Sequence, residues 1–291
     1  SLLVTGVQTC ALPICNIDEK IKLLTGNGMW HTQETEDLPS VHLSDGPHGL
    51  RKQEEKERQN NVSLVSTCYP TASALACSWD VTAAERLGRA VAKEAWNADV
   101  AVLLGPGINM KRSPLCGRNF EYFSEDPFLA GRLGAAYVSA AQGEDVAVSL
   151  KHFAANNQET NRQTSNSQID ERALREIYLS AFEYVVKTAR PATIMASYNR
   201  LNGYYACENR HLLTEILREE WGFDGVVISD WGACADLAKA VKAGMDLEMP
   251  DSHGIHARKL KAALKAGEIS EADIAQRSEE RRVGKECRSR W

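Results

Sequence analysis

The stretch Gly225-Val226-Val227-Ile228-Ser229-Asp230-Trp231 indicates the fold most directly, because an apolar β-branched run ends there in a carboxylate and an indole. Continuous apolar runs are typical of parallel strands that are buried on both faces. Enzymes built on parallel barrels place their active sites at the carboxyl ends of the strands. We therefore expect Asp230 to lie at an active site. The alternative role of this carboxylate is an N-cap of the following segment.

Short apolar runs alternate with longer helical patterns through most of the chain, which indicates βα units around a parallel sheet. Several helical patterns begin at Asp or Asn, the residue types preferred as N-caps. The candidate strands are residues 41–43, 72–76, 100–104, 146–150, 193–196, 226–228 and 245–247. The predicted helices are residues 80–96, 126–142, 170–188, 209–221 and 236–243, followed by 255–266 and a last helix from Ser270 onward.

Seven candidate strands in a chain of 291 residues predict an α/β fold. The expected architecture is a (β/α)8-like (TIM-type) barrel that has lost or degraded one unit and is incomplete at its C-terminus. A dinucleotide-binding sheet is disfavoured, because no Gly-x-Gly-x-x-Gly sequence opens a helix.

Both ends of the chain are expected to be artefacts. Residues 1–15 and 277–291 resemble in-frame translations of sequencing-library adapters. The alternatives are a clipped signal peptide at the first end and a basic nucleic-acid-binding tail at the second. Residues 16–276 then form one large α/β domain of a gene that we expect to continue downstream.

Composition disfavours several classes of function. The net charge is −5, and because residues 277–291 contribute +3, the rest of the chain carries −8. This balance disfavours nucleic acids and anionic membranes as partners. The five cysteines between residues 16 and 276 have no paired C-x-x-C spacing, so neither a disulfide scaffold nor a zinc ribbon is expected. No run has the length that spans a bilayer, and the location we expect is the cytoplasm.

Polar residues follow several of the other apolar runs, and their chemistry suits sugar hydrolysis. Glycoside hydrolysis needs a carboxylate at the anomeric carbon and a second group that protonates the leaving oxygen. Asp230 fits the first role, and we expect nearby cations to lower its pKa. Trp231 would stack on a sugar ring or pack at the top of the barrel. The cations concerned are Arg118, Lys151 and Arg162.

Two further features have alternative interpretations. A strand-end lysine such as Lys151 can be a Schiff-base nucleophile, which makes an aldolase a rival function. The charged run of residues 51–61 (RKQEEKERQNN) is expected to be a solvated loop at the rim of the site. Its alternative role is a lid over the substrate.

Five motifs occur in a fixed order along the chain: LSDGPHGLR (43–51), GRNFEYFSEDP (117–127), KHFAANNQETNR (151–162), MASYNRLNG (195–203) and VVISDW (226–231). Together they resemble the N-terminal barrel of family 3 glycoside hydrolases, especially bacterial β-glucosidases. The resemblance covers nearly all of residues 16–276. It implies a retaining, exo-acting enzyme that removes terminal non-reducing β-D-glucosyl residues from β-glucosides or oligosaccharides, without a metal or cofactor.

The same resemblance implies roles for individual residues. Asp230 would be the catalytic nucleophile. The hydroxyls of the terminal glucose would be contacted by Asp45, Arg118, Lys151 and His152, and the first subsite would be completed by Arg51, Arg162, Met195, Tyr198 and Trp231.

Two departures refine the comparison with the family. The β-N-acetylhexosaminidase branch carries a Pro-Gly-His-Gly loop where this chain has Ala154-Ala155-Asn156-Asn157, so that branch is disfavoured. In the β-glucosidase branch the acid/base Glu lies in a downstream α/β-sandwich domain, so we expect the acid/base to be absent from this chain. Glu248 is the substitute we considered, and we expect it to be structural. The remaining rivals are a β-xylosidase or arabinopyranosidase, and a non-catalytic carbohydrate-binding barrel.

Overall fold

The structure is a computed structural model that describes residues 16–36, 38–46, 48–53 and 62–286. The strands are β1 (Gly26–Asn27), β2 (His31–Thr32), β3 (Leu43–Asp45), β4 (Val102–Leu104), β5 (Ala147–Phe153), β6 (Asn166–Ser167), β7 (Thr193–Ala196), β8 (Arg200–Leu201), β9 (Tyr204–Tyr205) and β10 (Val226–Ser229). The α-helices are α1 (Ile17–Leu23), α2 (Ala72–Ala76), α3 (Val81–Asn97), α4 (Pro127–Gln142), α5 (Glu171–Ala173), α6 (Ser180–Ala189), α7 (Leu237–Ala243), α8 (Ile255–Lys265) and α9 (Glu271–Glu286). Leu174–Tyr178 and His211–Glu220 are π-helical, and Ala206–Glu208 is a short 3₁₀ helix.

A parallel sheet in the order β10-β7-β5-β4-β3 forms most of the barrel wall. Side chains alternate across this wall, as a strand requires. Val226 and Ile228 face an inner apolar cluster, whereas Val227 between them packs in the outer cluster beneath the helices. Since both faces are covered, the strand can be apolar throughout. The inner cluster consists of Leu43, Val102, Leu104, Met195, Val226, Ile228, Leu247 and Met249.

Backbone pairing continues beyond this sheet and closes the barrel. Leu247 pairs in parallel with Ile228, and Glu248 pairs in parallel with Thr25. Thr25 leads into the antiparallel hairpin of β1 and β2, whose His31 pairs with His42 just before β3. The predicted barrel is confirmed, and this N-terminal hairpin stands where a further βα unit would otherwise complete the wall.

The predicted strand at residues 72–76 is wrong, because this segment is helix α2. Thr71 caps the helix, since its side chain accepts the Ala74 N–H. A short apolar run cannot by itself distinguish a strand from a buried helix. Three of the five residues are alanine, the strongest helix former.

The predicted helices are confirmed, with bounds that differ by a few residues. Asp80, Asp126, Asp170 and Asp236 cap α3, α4, α5 and α7 through their side chains, as their positions in the sequence suggested. The segment predicted as one helix over residues 170–188 is divided by the π-helical turn Leu174–Tyr178. None of the described helices has the length and apolarity to cross a membrane.

Helix α9 continues past residue 276, after which the expected adapter segment begins. Arg277 is buried and donates to Asp246 Oδ1 at 3.2 Å, and Ser278 is also buried. The assignment of residues 1–15 and 277–291 to adapters stays a prediction.

Helices α3 and α4 approach closely at a glycine, and this contact gives a test of the packing. A Cβ built at Gly88 would lie 2.5 Å from the Tyr137 carbonyl oxygen. Alanine favours a helix over glycine by about 1 kcal/mol, but here the helices would have to separate. We expect Gly88→Ala to lower the free energy of unfolding by about 1–3 kcal/mol in chemical denaturation.

Gly131→Ala in α4 is the matched control for this substitution, because the added methyl would meet its neighbours at 3.4 Å, an ordinary contact. The control should be neutral or stabilising. Equal stability of the Gly88 variant and the wild type would contradict the packing described here.

Candidate active site

The candidate site lies at the carboxyl ends of the parallel strands. Asp45 ends β3, and Asp230 directly follows β10. Lys151 and His152 lie in the last half of β5. Arg118 comes from the segment between β4 and α4. Because parallel strands end at one rim of a barrel, side chains from four separate parts of the chain meet there.

Asp230 is almost fully buried, with 6% of its surface exposed. Its backbone N–H donates to Ala196 O at 2.9 Å, and its Oδ1 accepts the Trp231 N–H at 2.7 Å. Oδ2 has no hydrogen-bond partner among the described residues. The nearest cationic atom to Oδ2 is Nη1 of Arg118 at 4.0 Å. Oδ2 therefore accepts no hydrogen bond of ordinary geometry from the described residues, although the Tyr198 side chain lies close enough to act on the carboxylate and to oppose the rise in its pKa that burial causes.

The alternative role of Asp230 as a helix N-cap is not supported, because Asp236 caps α7. The expected direction of the pKa shift is wrong. Burial raises the pKa of Asp230, and although Arg118 and Lys151 act in the opposite direction, the pKa is raised overall. Desolvation therefore outweighs the attraction of the neighbouring cations.

Arg118 connects the carboxylates of the site with His152. Its Nε donates to Glu121 in a very short hydrogen bond, and its Nη2 donates to His152 Nε2. A guanidinium group can only donate, so Nε2 of His152 must accept. The proton of the neutral imidazole then resides on Nδ1, which lies 3.1 Å from the Tyr122 hydroxyl.

The electrostatics agree with a neutral His152. Burial lowers its pKa well below the ordinary value, and the positive charges of Arg118, Lys151 and Arg162 lower it further. The 3.8 Å approach of His152 Nε2 to Asp230 Oδ2 is therefore not an ion pair. The unprotonated Nε2 accepts from Arg118 Nη2 and cannot donate to Asp230 Oδ2.

Lys151 is buried between two carboxylates. Its Nζ donates to Asp45 Oδ1 at 2.7 Å and lies 3.8 Å from Glu121 Oε2. Burial by itself would raise the pKa of Asp45, but the charge and hydrogen bond of Lys151 lower it overall. A Schiff-base lysine needs a free amine that can attack a carbonyl carbon, whereas Lys151 Nζ is hydrogen-bonded to Asp45 and lies beside Glu121. The aldolase interpretation therefore has no support in this arrangement.

Glu121 is a site residue that the sequence analysis did not identify. Its side chain is 4% exposed and contacts both Arg118 and Lys151. The signal was present in the motif GRNFEYFSEDP, where Glu121 follows Arg118 by three residues. A carboxylate at this spacing from an arginine was open to interpretation as a local ion pair.

Three sequence-predicted residues lie outside this hydrogen-bonded network. The side chain of Arg51 is exposed, and its backbone N–H donates to Asp45 O at 2.8 Å. Met195 is buried in the inner apolar cluster of the barrel. Arg162 donates to Glu159 Oε2 at 2.7 Å, and its guanidinium lies over the Tyr198 ring. Residues 54–61 of the predicted rim loop are outside the described residues.

Aromatic residues line the rim next to Asp230. The hydroxyl of Tyr198 donates to Trp231 O at 3.1 Å, and the Tyr198 ring lies 4.4 Å from the guanidinium carbon of Arg162. Trp231 Nε1 donates to Met29 O at 2.9 Å. The Trp231 ring packs against Trp30, with centroids 5.1 Å apart. Trp231 thus packs at the barrel top, and it keeps a partly exposed surface on which a sugar could stack.

Glu248 lies on the outer side of the barrel wall. Its neighbours Leu247 and Met249 belong to the inner apolar cluster, so the alternation of a strand directs Glu248 outward. Its carboxylate accepts a short hydrogen bond from His256 Nδ1 at the start of α8. This placement agrees with the structural role expected for Glu248.

Comparisons with known proteins give the family. A family model described as the glycosyl hydrolase family 3 N terminal domain matches residues 47–284. The thermostable beta-glucosidase B of Acetivibrio thermocellus is 52% identical over 269 residues, which cover 91% of this chain and 36% of that protein. An exo-alpha-(1->6)-L-arabinopyranosidase of Bifidobacterium longum is 50% identical over 242 residues, with coverages of 81% and 32%.

A solved structure agrees with these sequence matches. Beta-glucosidase 3B from Thermotoga neapolitana, in complex with glucose, has a TM-score of 0.86 and 38% identity, and the match covers 91% of this chain and 40% of that one. The chain spans about a third of the length of the two curated relatives. Since the family model matches most of the chain, the protein belongs to glycosyl hydrolase family 3, of which it contains the N-terminal domain.

Proposed function

We propose that the protein is the barrel part of a retaining, exo-acting β-glucosidase in which Asp230 is the nucleophile. The observation that carries the proposal is the buried Asp230 Oδ2, which accepts no hydrogen bond of ordinary geometry from the described residues and lies 4.0 Å from Arg118 Nη1. A purely structural carboxylate at this depth would be expected to use both oxygens in hydrogen bonds. A carbohydrate-binding barrel without catalysis has no need of such a group.

In the proposed first step, Asp230 Oδ2 attacks the anomeric carbon and forms a glycosyl ester while the aglycone oxygen leaves with a proton. Water then hydrolyses the ester. The ionised nucleophile is costly in this buried position, and Arg118 reduces that cost. Asp45 and Lys151 would bind sugar hydroxyls as a charged acceptor and donor. This mechanism needs no metal or cofactor.

The proton of the first step needs a carboxylic acid about 5 Å from the nucleophile. Among the described residues, Glu121 is held by Arg118 and Lys151, and Asp45 is held by Lys151. Glu248 lies on the outer side of the wall. We therefore propose that the acid/base is supplied by a downstream domain of the same polypeptide, which the coverage of the longer relatives supports. The cytoplasmic location expected from the sequence stays a prediction.

A second candidate glycone is arabinopyranose, because the arabinopyranosidase of Bifidobacterium longum is 50% identical to this chain. The chemistry would be unchanged, and only contacts to the ring substituents would differ. Kinetics on a panel of dinitrophenyl β-glucoside, β-xyloside and α-L-arabinopyranoside decide between them. These leaving groups depart without protonation, so the barrel itself can be assayed. The proposal predicts the highest kcat/KM for the glucoside.

The same assay tests the nucleophile. Asp230→Asn should lower kcat for dinitrophenyl β-glucoside by about 10³-fold or more, because covalent catalysis is lost. Glucose affinity should stay within about tenfold. Asp224→Asn, an exposed aspartate ahead of β10, is the control and should keep wild-type rates. Residual turnover of Asp230→Asn near the wild-type rate would refute the assignment.

The hydroxyl-binding pair can be tested by a double-mutant cycle. Lys151→Ala and Asp45→Ala should each lower kcat/KM by roughly 30- to 1,000-fold, or about 2–4 kcal/mol, because each change removes a charged contact to a sugar hydroxyl and breaks the ion pair that orients the other residue. The double variant should lose much less than the sum, since the two residues share one hydrogen bond. The exposed pair Arg172 and Glu176 is the control, and its cycle should stay within a few-fold. Additive losses at Lys151 and Asp45 would contradict the shared role.

The pH dependence of stability provides an independent test of the buried nucleophile. Because burial raises the pKa of Asp230, the folded protein binds a proton more tightly there than the unfolded chain does. Ionisation at neutral pH therefore costs stability. The cost begins to shrink as pH falls through the raised folded-state pKa and is gone below the pKa of the unfolded chain. Asp230→Asn should be more stable than the wild type in urea at pH 7, and the advantage should shrink at acid pH. A variant less stable than the wild type at pH 7 would contradict this prediction, because it would mean that the neighbouring cations outweigh the cost of burying the ionised carboxylate.

A further inference from the structure

A second cluster of reactive side chains lies on the outer side of the barrel wall. It consists of Cys234, in the segment between β10 and α7, Glu248, beside Leu247, and His256, at the start of α8. The cysteine sulfur, a carboxylate oxygen and an imidazole nitrogen all lie within 4.8 Å of one another. Cys234 and Glu248 are buried, whereas 17% of the His256 side chain is exposed. The catalytic scheme uses none of these three groups.

The three side chains have the chemistry of a zinc site. Zinc is bound in proteins by cysteine sulfur, histidine nitrogen and carboxylate oxygen, usually in a tetrahedral arrangement. A thiolate ligand disfavours the hard ions Mg²⁺ and Ca²⁺. Cys234 forms no disulfide, so its sulfur is available. Glu248 and His256 already share a hydrogen bond through Nδ1, which places the two ligand atoms side by side.

The spacing of the three donor atoms is near that of a zinc site, but the atoms must shift on binding. Zinc–ligand distances of about 2.0–2.3 Å place tetrahedral donors about 3.3–3.8 Å apart. The three donor atoms all lie within 4.8 Å of one another, and the hydrogen-bonded Glu248 oxygen and His256 Nδ1 would separate to the tetrahedral spacing when an ion binds between them. His256 lies in the first turn of α8 and is the most exposed of the three, so it marks the path by which an ion would enter. Water from the same side can fill the fourth position.

We propose that Cys234, Glu248 and His256 form a binding site for a divalent ion of the zinc class. The ion would connect three separate elements: the segment that follows β10, the last parallel segment of the wall, and helix α8. Cys234 lies four residues after Asp230, so the ion would brace the segment that carries the proposed nucleophile. Its role is structural, because Glu248 faces away from the barrel interior.

Cobalt is the probe for this site, because a cobalt–thiolate bond gives a near-ultraviolet charge-transfer band. The full chain, stripped of metal by a chelator, is titrated with Co²⁺ and then with Zn²⁺ in competition. We expect one ion per chain with the thiolate band. The band should disappear in Cys234→Ser, and His256→Gln should weaken Co²⁺ binding at least tenfold. Zn²⁺ should raise the melting temperature of the wild type by mass action and raise that of His256→Gln by less at the same concentration.

Two matched controls separate this site from other thiols and histidines. Cys116→Ser removes a different buried thiol, and His253→Gln removes a histidine three residues before His256 whose side chain is 89% exposed. Both should keep the band and the affinity. Absence of the band in the wild type, or its persistence in Cys234→Ser, would overturn the proposal. If Cys234→Ser fails to fold, wild-type affinity in His256→Gln overturns it equally, because that substitution is at a partly exposed position.

Discussion

The arrangement of the site depends on the cost of burying charge at the carboxyl ends of the barrel strands. Three carboxylates, Asp45, Glu121 and Asp230, meet two cations, Arg118 and Lys151. Glu121 and Asp45 receive the direct hydrogen bonds from the cations. Oδ2 of Asp230 lies 4.0 Å from Arg118 Nη1 and accepts no hydrogen bond of ordinary geometry from the described residues, and burial raises the pKa of this carboxylate. The network thus keeps Asp230 in a position where burial of its ionised form lowers the stability of the fold, as expected where function and stability compete.

Closure of the barrel positions the rim of this site. The hairpin of β1 and β2 joins Glu248 on one side to His42 on the other, and its connecting residues carry Trp30. Trp30 packs on Trp231, next to Asp230. The N-terminal hairpin therefore completes the wall and also supports an aromatic surface beside the proposed nucleophile. A substitution that displaces the hairpin is therefore expected to move Trp231 through its contact with Trp30.

Sequence reasoning identified the βα pattern, the barrel, and most of the charged residues at the rim, because strand-end polar residues and N-caps are local signals. It did not identify the closing hairpin, since the pairing of Thr25 with Glu248 joins distant parts of the chain. It assigned residues 72–76 to a strand because the periodicity of apolar residues does not distinguish a short buried helix from a strand. It also gave the wrong direction for the Asp230 pKa, because depth of burial is a tertiary property. Glu121 was overlooked for the same reason.

The central claim is that Asp230 forms a covalent bond with the anomeric carbon of the sugar. A dinitrophenyl 2-deoxy-2-fluoro-β-glucoside slows hydrolysis of the ester more than its formation, so the intermediate accumulates. Intact mass followed by peptide mapping then locates the label. The account predicts a single fluoroglucosyl group on the peptide that contains Ser229-Asp230-Trp231. A label on Glu121, Glu248 or another carboxylate would contradict it.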